Sequence, residues 1–211
     1  EGHFVRFLLV RHGESTYNAE GRIQGQQDAP LSERGRRQAE RIGERLRSYQ
    51  FDACYASDLS RAADTARAIM QHHPAVPFEF VPLLREIKFG IFEGRIMPEI
   101  EEMYPEEYAQ WMDDRRTFVP PGAESGEDLS ERAGRALRWL QDRGHDGTVL
   151  VVAHGAILNA FLGQFLRLGG ESRYRFHFDN TALAVVEDKP FGPRLLLAND
   201  TSHLGPDSAF P

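Results

Sequence analysis

The sequence has a single cysteine, Cys54, which excludes an internal disulfide. A lone thiol fits a reducing compartment, and the expected location is the cytoplasm. No apolar run approaches the ~20 residues of a bilayer-spanning helix, and no secretory signal pattern is evident, so no membrane association is expected. Basic residues are outnumbered, 25 Lys and Arg against 32 Asp and Glu, for a net charge of −7. That balance argues against a nucleic-acid binder but leaves room for a locally basic pocket that takes a small anion. Internal repeats and low-complexity linkers are missing too. The absence of a Gly-x-x-x-x-Gly-Lys phosphate loop argues against an ATP-dependent kinase.

What is there is a chain of 211 residues with ordinary apolar and charged fractions. The expectation is one domain over 1–211, large enough to bury a core without disulfides or a structural metal. Phe4–Val10 is rich in β-branched and aromatic residues and reads as a buried strand. Ser32 is placed to cap a helix running to about Tyr49, with Ala39, Ile42, Leu46 and Tyr49 at helical spacing. Phe51–Ser57 reads as a strand, about Arg61–His72 as a helix, and Val76–Val81, bracketed by prolines, as an edge strand. From about 87 to 125 the alternation gives way to a helical insertion, with pieces near Pro98–Met103 and Pro105–Asp113. Its Met97, Met103, Tyr104, Tyr108 and Trp111 are candidates for lining a pocket, or simply for packing the insertion down.

Ser125 then caps a helix to about Arg143, and Thr148–Ala153, apolar without alternation, suits a central parallel strand. A helix over Ala156–Leu166 follows, then candidate strands at Tyr174–Phe178, Thr181–Glu187 and Arg194–Ala198. This order predicts an α/β fold: a doubly wound, mostly parallel sheet with helices on both faces and the insertion over the active site.

Chemistry gathers at three strand ends: Arg11-His12-Gly13, Ser57 to Arg61, and His154-Gly155. Taken alone, Arg11–Ser15 reads equally well as a polar loop closing a strand. In a parallel sheet, however, the carboxyl ends lie on one side, where ligands of open α/β sheets bind. Two arginines and two histidines meeting there describe a site for a dianion. Cysteine- and serine-based chemistries fit poorly. Cys54 stands one residue too far from Arg61 for a cysteine-phosphatase loop, and Ser125 lacks a Gly-x-Ser-x-Gly setting. His12, His154, Glu14 and Glu86 include no helical His-x-x-x-His pair, so neither a metal nor another cofactor is expected. His72 and His73, at a predicted helix end, read as structural, and His3, His145 and His177 have no assignable partner.

Arg11-His12-Gly13-Glu14-Ser15 with Asn18, Ser57–Ala62, Glu86 with Phe89-Gly90 and Glu93-Gly94, and His154-Gly155 together resemble the histidine phosphatase superfamily. Within it they are similar to the branch of cofactor-dependent phosphoglycerate mutases and small phosphatases. The resemblance implies that His12 is the nucleophile and forms a phosphohistidine. It implies further that Arg11, Arg61 and His154 bind phosphoryl oxygens and that Glu86 is the general acid and base. Asn18 and Gln24 are implied as further phosphate contacts, and Gly155 as a backbone N–H nearby. His12 must attack through an unprotonated nitrogen, so a partner has to hold its tautomer, and a backbone carbonyl near Gly13 or Glu14 is expected to do so. Glu86 must begin protonated, which burial or neighbouring negative charge would favour.

The segment between Glu86 and His154 is short beside that of the mutases, so hydrolysis of a small phosphomonoester is expected. Mutase-type transfer, or phospho-ligand binding without turnover, are the alternatives. The expected partner is a small phosphorylated metabolite, and a homodimer is compatible with the chain. His203, in a late segment seen in some phosphatase relatives, is either a pocket-bordering group or an ordinary surface histidine.

Overall fold

A computed structural model of the chain describes residues 5–169 and 175–207. The described residues form six strands: β1 (Val5–Arg11), β2 (Ala53–Ala56), β3 (Phe78–Phe80), β4 (Gly147–Ala153), β5 (Leu183–Lys189) and β6 (Gly192–Asp200). The helices among the described residues are α1 (Thr16–Glu20), α2 (Glu33–Leu46), α3 (Ser60–Met70), α4 (Met97–Met103), α5 (Pro105–Asp113), α6 (Gly126–Gln141) and α7 (Gly155–Phe165). The strands form one sheet in the order β3-β2-β4-β1-β5-β6. Neighbours from β3 to β1 run parallel, and β5 and β6 add an antiparallel hairpin at the far edge.

The middle strands carry no polar face because both faces are covered. Alternate side chains of one strand enter different cores. Phe7, Leu9, Tyr55, Val149 and Val151 pack with Leu129, Leu137 and Leu140 of α6 and Ile157 and Phe161 of α7. Leu8, Val10, Cys54, Leu150 and Val152 pack with Ile42 and Leu46 of α2 and Ala66 and Ile69 of α3 on the opposite face. Ser32 accepts from Gly35 N–H at the start of α2, and Ser125 from Asp128 N–H at the start of α6, which satisfies amide groups that helix starts leave orphaned. β3 is short and lies at the sheet edge, where its flanking prolines leave no central pairing unfilled.

Two expectations need correcting. Residues 175–178 do not form a strand. Phe176 N–H donates to the Asn159 side chain (2.6 Å) and the Phe178 carbonyl accepts from Arg11 Nη1 (2.5 Å), so side chains take the groups that a ladder would use. Tyr174, the expected start of that strand, lies outside the described residues, as do Phe4 and His3. Tyr49 falls beyond the end of α2 and is exposed, its ring stacked on Phe51 from outside the core. Among the described residues no helix is long and apolar enough to cross a membrane.

Candidate active site

Sheet register brings the three strand ends together. Arg11 pairs with Ala153 in the parallel β1–β4 ladder, and Ala56 pairs with Val152 in β2–β4. The ladder closes just past the strands, with His12 N–H donating to Ala153 O and Ser57 N–H to Val152 O, both at 3.0 Å. His12, Ser57 and His154 therefore leave the sheet side by side. The rings of His12 and His154 stand 5.0 Å apart.

His12 is buried, and its Nδ1 lies 2.6 Å from the carbonyl oxygen of Gly13. Burial above all, with Arg61 and Arg11 adding to it, pushes its pKa well below the ordinary imidazole range. The ring is then neutral and carries one proton. A carbonyl can only accept, so that proton sits on Nδ1 and leaves a lone pair on Nε2. The loop that sets this geometry lies against the start of α2. A side chain on Gly13 would put a Cβ 2.5 Å from Gly35 O, so only glycine permits the approach. Gly13 N–H donates to Thr65 Oγ1 (3.0 Å), Glu14 N–H to Gln38 Oε1 (2.8 Å), and Asn180 Nδ2 to the His12 carbonyl (3.1 Å).

The guanidinium of Arg61, at the start of α3, is fully buried and donates to Gln27 O (2.9 Å) and Gly25 O (2.7 Å). Those carbonyls belong to a loop tied down from the other side by Glu93, whose Oε1 accepts from Gln26 N–H (3.0 Å) and Phe89 N–H (2.9 Å). Gly25 has a φ of +53°, and a Cβ there would collide with the Glu93 carboxylate. Burial lowers the pKa of Arg11 and of Arg61 from the usual guanidinium value, but both remain cations at neutral pH. Three buried nitrogens on these groups have no hydrogen-bond partner among the described residues: Arg11 Nε, Arg61 Nε and His154 Nδ1. His154 pairs its Nε2 with Ser57 Oγ (2.8 Å), and burial, followed by the charge of Arg61, pushes its pKa well below the ordinary value.

Glu86 enters from the segment after β3. Its carboxylate accepts from Ala156 N–H (3.2 and 3.3 Å), Ile157 N–H (3.2 Å) and its neighbour Ile87 N–H (2.9 Å). The start of α7 therefore serves this carboxylate. Gly155, expected to offer its own N–H to a phosphate, is the first residue of α7, beside these groups. A Cβ at this position would come within 3.8 Å of Arg11 Nε and 3.9 Å of Glu86 Oε2.

Arg11, His12, Arg61 and Glu86 open on a cavity of about 620 Å³ that Asn18 and Gln24 also line, while His154 lies fully buried behind its wall. Asn18 closes a capping box with Ser15, and Ser15 Oγ contacts Gln24 Oε1 at 2.5 Å. The outer wall adds Arg22 and Ile23, and from the insertion Phe89, Trp111, Arg115 and Arg116. Of the insertion residues expected to line a pocket, Trp111 does so, whereas Tyr104 and Trp111 both pack on the buried Phe92 and Met103 is exposed.

His203 is away from the cavity, between Thr181 Oγ1 (3.0 Å) and Arg45 Nη1 (3.2 Å). His145 and His177 gain partners in Tyr55 (2.8 Å) and Asp179 (3.0 Å). Among the described residues no group of three or more His, Cys, Asp or Glu side chains could hold a metal ion.

Thr65, Arg132 and Asn180 were not foreseen as parts of this arrangement. The first two had a signal: Thr65 and Arg132 sit at helical spacing among apolar residues on the packing faces of α3 and α6. Asn180, in an irregular loop, had none.

The comparisons with known proteins agree with the geometry. Phosphoserine phosphatase 1 of Hydrogenobacter thermophilus is 32% identical over 203 residues, 95% of each chain. A Salmonella choleraesuis protein named probable phosphoglycerate mutase GpmB is 34% identical over 208 residues, again 95% of each. The alpha-ribazole phosphatase structure from Shigella flexneri superposes with a TM-score of 0.86 at 28% identity, covering 92% of this chain and 96% of that one. The family model for branch 1 of the histidine phosphatases matches residues 7–201, from the first buried strand to the last residues of the hairpin. The chain belongs to the histidine phosphatase superfamily, branch 1.

Proposed function

We propose that the protein hydrolyses small phosphomonoesters through a phosphohistidine on His12, acting as one domain over 1–211 whose insertion at about 87–125 forms the outer wall of the site. The observation that carries this reading is the 2.6 Å contact between Nδ1 of the buried His12 ring and the Gly13 carbonyl oxygen. Gly13 O accepts from Nδ1–H, and among the described residues no hydrogen bond is made to Nε2. The unpartnered Arg11 Nε, Arg61 Nε and His154 Nδ1 around it suit a phosphoryl group.

In the first step His12 Nε2 attacks phosphorus, a P–N bond forms and the P–O ester bond breaks. Glu86 gives its proton to the departing alkoxide oxygen. In the second step Glu86 takes a proton from water, the resulting nucleophile attacks the phosphohistidine, and the P–N electrons return to Nε2. Orthophosphate leaves. Arg11 and Arg61 stay in place throughout and offset charge on the equatorial oxygens, where such reactions gain most of their rate. Asn18 and Gln24 would contribute polar contacts at the same oxygens. Arginine supplies the positive charge, so the reaction as drawn requires no metal.

Turnover of p-nitrophenyl phosphate in EDTA tests the hydrolase. An acid-labile, base-stable phosphoprotein should be trapped in the wild type and absent in His12→Ala. Inactivity of the wild type across a panel of phosphomonoesters would refute the reading. A mutase reading has the name of the Salmonella relative in its favour. It would replace this one if 2- and 3-phosphoglycerate interconvert faster than either is hydrolysed.

A further inference from the structure

We propose that Arg132 of α6 is the positioning residue for Glu86, holding the backbone that presents the acid carboxyl to the pocket. The inference rests on the role given to Glu86 above. Arg132 is nearly buried, does not line the cavity, and places all five of its N–H bonds. Nε and Nη2 each donate to the Glu124 carboxylate at 2.7 Å. Nη1 donates to Leu83 O (2.8 Å) and Arg85 O (2.7 Å), and Nη2 donates again to Glu86 O (3.2 Å). Three carbonyls within four residues, ending at Glu86 itself, are thus gathered by one planar cation.

Glu124 completes the frame from the other side. It accepts from Lys88 N–H (3.4 Å), and its own N–H donates to Lys88 O (2.9 Å). On the flank towards the second strand end, Arg85 makes a two-bond pair with Asp58 (2.6 and 2.7 Å). Glu86 itself lies outside regular secondary structure, two residues past the short 3-10 turn Pro82–Leu84. A carboxyl there would otherwise swing with its loop, and an acid must meet the leaving oxygen within hydrogen-bond reach. Lysine has three donors and no fork, so it cannot hold the carboxylate and three carbonyls at once.

The test compares kcat/KM for phenyl phosphate, a poor leaving group that depends on protonation, with that for 2,4-dinitrophenyl phosphate, which does not. Arg132→Lys is expected to lose about tenfold or more on phenyl phosphate and no more than about twofold on the dinitrophenyl ester. Its affinity for inorganic phosphate should stay within about twofold of wild type, since the phosphate-facing arginines are elsewhere. In a Glu86→Gln background the same substitution should cost phenyl phosphate turnover no more than about twofold, because the group it acts through has gone.

Equal losses on both esters, or an undiminished loss in the Glu86→Gln background, would overturn the inference. If Arg132→Lys does not fold, Glu124→Gln, which keeps an acceptor for one of the two N–H bonds, should show the same ester selectivity. Failure of the underlying reading looks different. Glu86→Gln alone would then lose equally on both esters, and the inference goes with it. A selective Glu86→Gln beside an unselective Arg132→Lys removes the inference alone.

Discussion

Removing one hydroxyl from α3 should weaken both the fold and the catalytic loop. Thr65 is fully buried, and its Oγ1 accepts from Gly13 N–H (3.0 Å) while donating to Arg61 O (2.7 Å). It therefore ties the loop after β1 to the start of α3, the two pieces that carry His12 and Arg61. Valine has the same shape, so Thr65→Val opens no cavity. Arg61 O keeps its place in the helical ladder, but Gly13 N–H is left buried without an acceptor. That orphaned donor costs about 1–3 kcal/mol. At about 2–4 °C per kcal/mol for a chain of this size, a central cost of about 2 kcal/mol lowers Tm by about 4–8 °C. Thr65→Ser keeps the hydroxyl and loses a methyl, about 0.8 kcal/mol by area alone.

Urea and thermal unfolding followed by circular dichroism should therefore order the proteins as wild type, Thr65→Ser, then Thr65→Val. Because the freed N–H follows His12 directly, kcat/KM of Thr65→Val should also fall by roughly tenfold. A Thr65→Val protein as stable as wild type, or one more stable than Thr65→Ser, would refute the reasoning.

Gly13→Ala places a Cβ 2.5 Å from Gly35 O, so the backbone must part. A loss of about 1–3 kcal/mol in unfolding free energy and of about 10- to 100-fold in kcat/KM is expected, and wild-type values of both would contradict the packing. The His12 ring, followed by NMR and assigned by its absence in His12→Ala, should stay neutral as pH falls through 6.5 and titrate well below that. A midpoint at the ordinary imidazole value would mean that burial and the two arginines do not set its state. Burial chiefly, and the charge of Arg45, bring His203 down to about 4. The unfolded chain then binds more protons between about 4 and about 6.5, so stability should rise with pH across that window and be lost as pH falls through it. His203→Gln should flatten that slope in urea titrations between pH 4 and 6.5, and an unchanged slope would point to other groups.

Much of the fold was legible because hydrophobic periodicity is a property of a short window. The unbroken apolar runs of β1 and β4, the serines before α2 and α6, and the prolines around β3 each declare a local structure. Residues 175–178 were misread because their apolar character suits a strand, whereas the Asn159 and Arg11 side chains hold their backbone. The insertion stayed open between two readings because aromatic spacing marks residues that bury area without saying against what; Trp111 lines the cavity and Phe92 takes Tyr104. The tautomer partner of His12 could be narrowed to a nearby carbonyl. Which one it is depends on how closely Gly13 approaches Gly35.

By itself, the sequence determined that two arginines, two histidines and a glutamate stand at or near the carboxyl ends of α/β units. Residue type and strand order are written along the chain. Tertiary structure decided which of their atoms keep partners and which do not. Arg61 spends Nη1 and Nη2 on loop carbonyls and leaves Nε unpartnered, and the start of α7 turns to Glu86. Arg132 reaches back 46 residues to hold the Glu86 carbonyl. Hydrogen bonds are satisfied in three dimensions, between groups whose separation along the chain carries no information about their distance in space. The chemical inventory could therefore be read from the residues, and its geometry only from the packing of α2, α3, α6 and α7 on the sheet.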